Sequence, residues 1–117
     1  MLGASPSLDQ VFHALSDPTR RGMVERLARG PLSVSELAEP LDMTLAAVVQ
    51  HLQVLERSGV IQSRKQGRIR TCQIRPEVLG AAEKWFAGRR ALVERQLDRL
   101  GGYLADQERR PKDKKRP

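Results

Sequence analysis

Apolar residues recur along this chain in short one-sided stripes broken by capping residues, glycine and proline. The period of those stripes predicts helices over most of its length. Leu8, Val11, Phe12 and Leu15 stand at helical spacing and predict a first short helix. Before it, Met1 to Ser7 is small, polar and proline-containing and reads as a loose arm. Asp17 then offers an N-cap and Pro18 a first helical residue, so a second helix follows. It turns Met23, Val24 and Leu27 inward and ends near Gly30-Pro31. Ser33 and Glu36 fit a capping box over a third helix, Val34 to Glu39, which Pro40 stops for want of a donor. Thr44 caps a fourth helix that runs to about Arg57, ahead of the stop at Ser58-Gly59.

After Gly59 the period shortens to that of strands. Val60 to Lys65 and Arg68 to Ile74 read as a hairpin around Gln66-Gly67, whose glycine supplies the positive φ of a tight turn. Arg68 and Arg70 would then share a strand face with Cys72 and Ile74, which point inward lower down. Pro76 opens a last helix, expected over residues 76–105. In it Leu79, Phe86, Val93 and Leu100 recur every seven residues, Val78, Trp85 and Leu92 form a second row, and Leu97 and Leu104 extend the seam. A helix of about 25 residues would be roughly 37 Å long. That is more than one small domain covers with its own core, so the surplus apolar face predicts a second copy of the same helix. Gly88 and Gly101-Gly102 weaken its continuity. The chain thus divides into an arm (1–7), one domain (8–105) and a charged tail (106–117) that reads as disordered.

Composition narrows the function. The 117 residues make a single domain, and 21 Lys+Arg against 14 Asp+Glu give +7, which favours a polyanionic partner. The last ten residues supply +4 of that, so the distribution says more than the total. From Ser63 to Arg75 lie Arg64, Lys65, Arg68, Arg70 and Arg75 with no acidic residue among them. Cys72 is the one cysteine, which excludes an intramolecular disulfide or a thiolate metal cage within one chain. On an apolar strand face it reads as a small buried hydrophobe. Aromatic residues are 3% of the chain, too few for reading single strands by stacking. No apolar run approaches a membrane span, and the first residues lack the basic and apolar regions of a signal peptide. A cytoplasmic protein is expected. His13 and His51 lie on different helices and no nucleophile–base set or phosphate loop appears, so the chain is not read as an enzyme and no cofactor is expected.

Within the fourth helix, Val48, Leu52 and Leu55 face the core with Ala47 beside them, leaving Ala46, Val49, Gln50 and Gln53 outward. A merely solvated helix face usually carries Lys and Glu; this one carries none. Glutamine can bond an adenine edge with both amide groups, and small apolar groups can meet thymine methyls. Thr44 and Leu45, at the helix start, are placed to reach a phosphate or a base. His51 falls at the rim of the core, where a hydrogen-bonded structural histidine is the expected reading. Near the hairpin tip, Arg64, Lys65, Arg68 and Arg70 can meet backbone phosphates or the minor groove. The fold expected is therefore mainly α with a small β-hairpin: a winged helix-turn-helix whose fourth helix enters the major groove of duplex DNA. The alternative is the same fold used as a protein-interaction module. A salt-dependent shift of duplex DNA separates the two.

With these residues in hand, the chain resembles the ArsR/SmtB family of bacterial winged-helix repressors. The resemblance runs from about Leu8 to Ile74 through Ala14-Leu-Ser-Asp-Pro-Thr-Arg-Arg21, Leu32-Ser-Val-Ser-Glu-Leu-Ala38, Ala47-Val-Val-Gln-His-Leu-Gln-Val-Leu55 and Gly59-Val-Ile61. It implies a regulator that represses its own or a neighbouring operon as a homodimer on a near-palindromic operator. It also implies pairing through the first and last helices, with Leu8, Val11, Phe12, Leu15, Trp85, Phe86, Val93, Leu97 and Leu100 at the interface. The family's Cys-x-Cys metal site falls on Val34, Ser35 and Glu36, and the last helix has no histidine for its other site, so no metal site is expected. Val49 stands where many members have serine, which removes a hydroxyl from that position.

Overall fold

Each of the first four helices begins on a side-chain cap. The computed structural model describes residues 7–109. In α1 (Leu8–Ala14) the Gln10 amide donates to Ser7 Oγ at 3.0 Å, so Ser7 belongs to the fold as a cap and not to a loose arm. In α2 (Pro18–Leu27) the Arg20 amide donates to Asp17 Oδ2 at 3.0 Å, with Pro18 at the first turn. In α3 (Val34–Ala38) both bonds of the capping box form: Glu36 N–H to Ser33 Oγ at 3.1 Å, and Ser33 N–H to Glu36 Oε1 at 2.8 Å. In α4 (Leu45–Arg57) the Ala47 amide donates to Thr44 Oγ1 at 3.1 Å. The Ser58 hydroxyl closes that helix on Leu55 O, and Gly59 takes a φ of 85° beyond it.

A two-residue strand, β1 (Leu32–Ser33), was invisible in the sequence. It pairs with β3 (Ile69–Ile74), which also pairs with β2 (Ile61–Gln66), so the expected hairpin is one part of a three-stranded antiparallel sheet of order β1-β3-β2. The register places Gln66 opposite Ile69, which makes Gly67-Arg68 the turn and moves it one residue from the expected Gln66-Gly67. Gly67 has a φ of 64°, and among the described residues only glycines have a positive φ. A two-residue turn with glycine first is the type that follows strand twist when only one position takes positive φ. Arg68 therefore sits in the turn and not on the strand face of Arg70 and Cys72.

The described residues divide into two compact units that part between Ala82 and Glu83. The core of the first gathers Val11 and Ala14 of α1, Met23 and Leu27 of α2, Leu37 of α3 and Val48, Leu52 and Leu55 of α4. Val60, Ile61 and Cys72 from the sheet, and Val78 and Ala82 from the start of α5, complete it. Cys72 is fully buried, as its strand position predicts. Leu8, Phe12 and Leu15 pack partly against this core and Val11 lies inside it. Most of the α1 stripe is thus used within the chain, and Val11 has no surface to offer a partner. The second unit consists of the remainder of α5, which spans Pro76–Arg109, runs through Gly88 and Gly101-Gly102, and ends past the expected boundary at residue 105. Among its side chains Phe86, Val93, Leu97 and Leu100 are each more than half exposed. Trp85 and Phe86 meet edge to face at 5.3 Å, and the Arg89 guanidinium lies 4.6 Å from the Trp85 ring centre.

Candidate nucleic-acid interface

Burial along α4 separates its two faces. Val48, Leu52 and Leu55 are buried, while Leu45, Ala46, Val49, Gln50 and Gln53 are exposed, as is Thr44 at the cap. The exposed set contains no charge before Arg57. Such a face is costly to leave to water at Leu45, which is 59% exposed, and it carries amide groups that can bond base edges. Thr44 Oγ1 accepts the Ala47 amide. The hydroxyl proton of Thr44 is left to donate outward.

Two arginines fix this helix and its neighbour from behind. Arg20 donates from Nε to Ala14 O at 2.7 Å, from Nη2 to His13 O at 3.2 Å and from Nη1 toward His51 Nδ1 at 3.2 Å. Because a guanidinium only donates, Nδ1 is the acceptor in that pair, and the same nitrogen lies 4.0 Å from Asp17 Oδ2. His51 is thus a rim histidine that ties α4 to α2. The Asp17 carboxyl is held below its usual range, chiefly because it caps the Arg20 amide. Arg26 reaches from α2 to the end of α3, donating to Leu37 O at 3.0 Å and Glu36 O at 2.9 Å. Neither arginine stood out in the sequence, where both look like surface charges.

The hairpin distributes its basic residues over two faces. Lys65 is the cross-strand partner of Arg70, and Arg64 that of Thr71. By strand alternation Ser63, Lys65, Arg70 and Cys72 lie on the face turned toward the core, and Arg64 on the other. Directly opposed like charges weaken a hairpin, so Lys65 facing Arg70 is an arrangement that an anionic partner would relieve. Arg64, Lys65, Arg68 and Arg70 are all exposed. The expected basic face also includes an acid that the sequence reading passed over. Glu56, half-buried near the end of α4, accepts from Ser63 Oγ at 2.6 Å, and Arg70 Nη1 donates to the same hydroxyl at 2.9 Å. Glu56 and Arg70 border a cleft of about 890 Å³ between α3, α4 and β3, lined also by Val34, Ser35, Val49, Gln53 and Cys72 among others. Burial, and then the Glu56 carboxylate, push the Cys72 thiol up, so it stays protonated at neutral pH.

Among the described residues no three His, Cys, Asp or Glu side chains group closely enough to hold a metal ion, and no helix is long and apolar enough to cross a membrane. The tail residues Lys112, Lys114, Lys115 and Arg116 lie outside the described residues.

Residues 15–64 match the Helix-turn-helix domain family. Over 75 residues the chain is 47% identical to the HTH-type transcriptional regulator Rv2034 of Mycobacterium tuberculosis, spanning 64% of this chain and 70% of that protein. The transcriptional repressor SdpR of Bacillus subtilis is 28% identical over 79 residues, 68% of this chain and 88% of its own length. A solved structure described as an ArsR family transcriptional regulator matches with a TM-score of 0.72 at 50% identity, covering 74% of this chain and 96% of the other.

Proposed function

This chain belongs to the ArsR family of winged helix-turn-helix transcriptional regulators, and from that premise we propose that it represses its own or a neighbouring operon as a cytoplasmic homodimer. It is a DNA-binding regulator of transcription. The observation that carries the finer reading is the uncharged, exposed face of α4 standing beside a hairpin whose Lys65 and Arg70 oppose each other. In the major groove, Gln50 and Gln53 read base edges, while Ala46 and Val49 supply apolar contact to thymine methyls. Thr44 caps α4 and donates its hydroxyl proton to a phosphate, with Leu45 packing alongside. Arg64, Lys65, Arg68 and Arg70 meet the flanking backbone, and Arg68, at the turn, reaches furthest along it.

The dimer is supported by the exposed row Val93, Leu97, Leu100 and Leu104 on α5, which a second copy of the same helix would cover. A two-fold dimer reads a near-palindromic operator, because each α4 meets an equivalent half-site. No metal or other effector enters the reading, and its regulatory output is binding and release of DNA with no chemical step.

The test is fluorescence anisotropy with a duplex selected by the wild-type protein from a random-sequence pool, against a scrambled duplex, over a series of salt concentrations. Preferential binding of the selected duplex is expected, with log K falling by about 0.9 per phosphate contact for each unit of log salt. Equal, salt-insensitive binding of both duplexes would refute the reading and favour a protein-interaction module.

A further inference from the structure

We propose that Glu56, acting through Ser63, is a positioning residue that holds the wing arginine Arg70 ready for the DNA backbone. The inference rests on the DNA contact proposed for Arg70. The Ser63 hydroxyl has one proton, and the 2.6 Å approach to Glu56 Oε2 commits it to the carboxylate. With its proton so directed, the oxygen presents only lone pairs to Arg70, whose Nη1 donates to it at 2.9 Å. The carboxylate therefore sets the polarity of the hydroxyl, and the hydroxyl sets the place of the guanidinium. Ser63 takes one of the guanidinium's N–H donors and leaves the others available for a phosphate.

Placement explains why the device is useful. Glu56 lies on the reading helix, Ser63 on β2 and Arg70 on β3, so three side chains link the helix in the major groove to the wing on the backbone. A free arginine loses its rotamer freedom on meeting a phosphate, whereas one already bonded has lost part of it on folding. An acid this close to a DNA-binding surface would otherwise only repel phosphate. Its half-buried position and its bond to Ser63 give it a structural task, and the interposed hydroxyl keeps it from forming a direct ion pair that would cancel the arginine's charge. The protonated state of the buried Cys72 thiol beside them keeps a second negative charge out of the same place.

The test combines affinity for the selected duplex with the side-chain nitrogen spectrum of Arg70 in the free protein, for Ser63→Ala, Ser63→Thr, Glu56→Ala, Arg70→Ala and the Ser63→Ala/Arg70→Ala double variant. Ser63→Ala changes no charge and leaves a strand residue in place. It should weaken binding about fivefold, the scale of one ordinary intramolecular hydrogen bond, and collapse the Arg70 signal toward that of a freely rotating guanidinium. Ser63→Thr restores the hydroxyl and should restore both readouts. In the Arg70→Ala background Ser63→Ala should have no further effect. Glu56→Ala gives the sharpest contrast: loss of a merely repulsive acid tightens binding, whereas loss of the positioning acid weakens it while Arg70 is present. If Arg70→Ala weakens binding and Ser63→Ala does not, or if Glu56→Ala tightens it, the positioning role is wrong. If Arg70→Ala leaves affinity unchanged, the wing contact itself is wrong and the positioning role falls with it, whatever the spectrum shows.

Discussion

Replacing Arg20 with alanine should destabilise the chain by about 2–3 kcal/mol, more than its appearance as a surface charge suggests. The magnitude follows from what each of its three bonds would leave behind. Ala14 is completely buried, and its carbonyl accepts Arg20 Nε at 2.7 Å. Losing that donor orphans a shielded acceptor, at a cost of roughly 1–3 kcal/mol. His13 O also accepts from the Ser16 amide and hydroxyl, so the bond from Arg20 Nη2 is the least costly to lose. His51 is partly exposed, and water can replace the guanidinium at Nδ1. The sum is dominated by one carbonyl and supplemented by the other two bonds. For a domain of this size it corresponds to a fall in Tm of about 10–20 °C. Urea denaturation followed by circular dichroism at fixed protein concentration measures it, with the slope unchanged and the midpoint lowered. Arg20→Lys keeps the charge but not the planar fork, and should recover less than half the loss. A loss within about 0.5 kcal/mol for Arg20→Ala, or full recovery by lysine, would show that charge alone matters and that the fork does not tie α1, α2 and α4 together.

Other substitutions test separate parts of the reading. Val93→Asp places an unpaired carboxylate on the exposed row of α5 and should cost the dimer about 3–5 kcal/mol; an unchanged dimer mass in sedimentation rules that row out as the seam. Gln50→Ala or Gln53→Ala should cost about 1–3 kcal/mol on the selected duplex and little on a scrambled one, whereas equal weakening on both would show that they do not read bases. The lowered pKa of the Asp17 carboxyl means that its charged form favours folding above the unfolded-state value near 3.8, a contribution lost as pH falls through the lower folded value. Asp17→Asn keeps the cap and should flatten the acid limb of the stability curve below about pH 4; an acid limb as steep as wild type assigns that pH dependence elsewhere. Zinc, cadmium, arsenite or a chelator should leave affinity for the selected duplex unchanged, and a reproducible tenfold loss with any one of them would reveal a site that the ligand chemistry does not anticipate.

What could be read from the sequence was local in origin. The caps at Asp17, Ser33 and Thr44 each satisfy an amide three residues on, and the faces of α4 follow from a period confined to one helix, so both are visible in a short window. The features that escaped are those whose partners lie on another element, at a spacing that no helix or strand period reveals. The strand Leu32–Ser33 exists because β3 pairs with it some 40 residues later, and two residues carry no period of their own. Arg20, Arg26 and Arg70 all read as charges for solvent or DNA, yet each donates to an acceptor that folding brings near: a helix-end carbonyl for the first two and the Ser63 hydroxyl for the third. Counting basic residues therefore overstates the charge left wholly for DNA and misses the work that some of it does inside the fold. The same reasoning applies in reverse to Glu56. A list of charges by position sets it at the edge of a basic surface as an intruder, whereas its bond to Ser63 makes the placement of one of those basic residues depend on it. The charge pattern of this surface is thus a consequence of which side chains the sheet and α4 bring together, and Ser63, uncharged and unremarked in the sequence, is where the two meet.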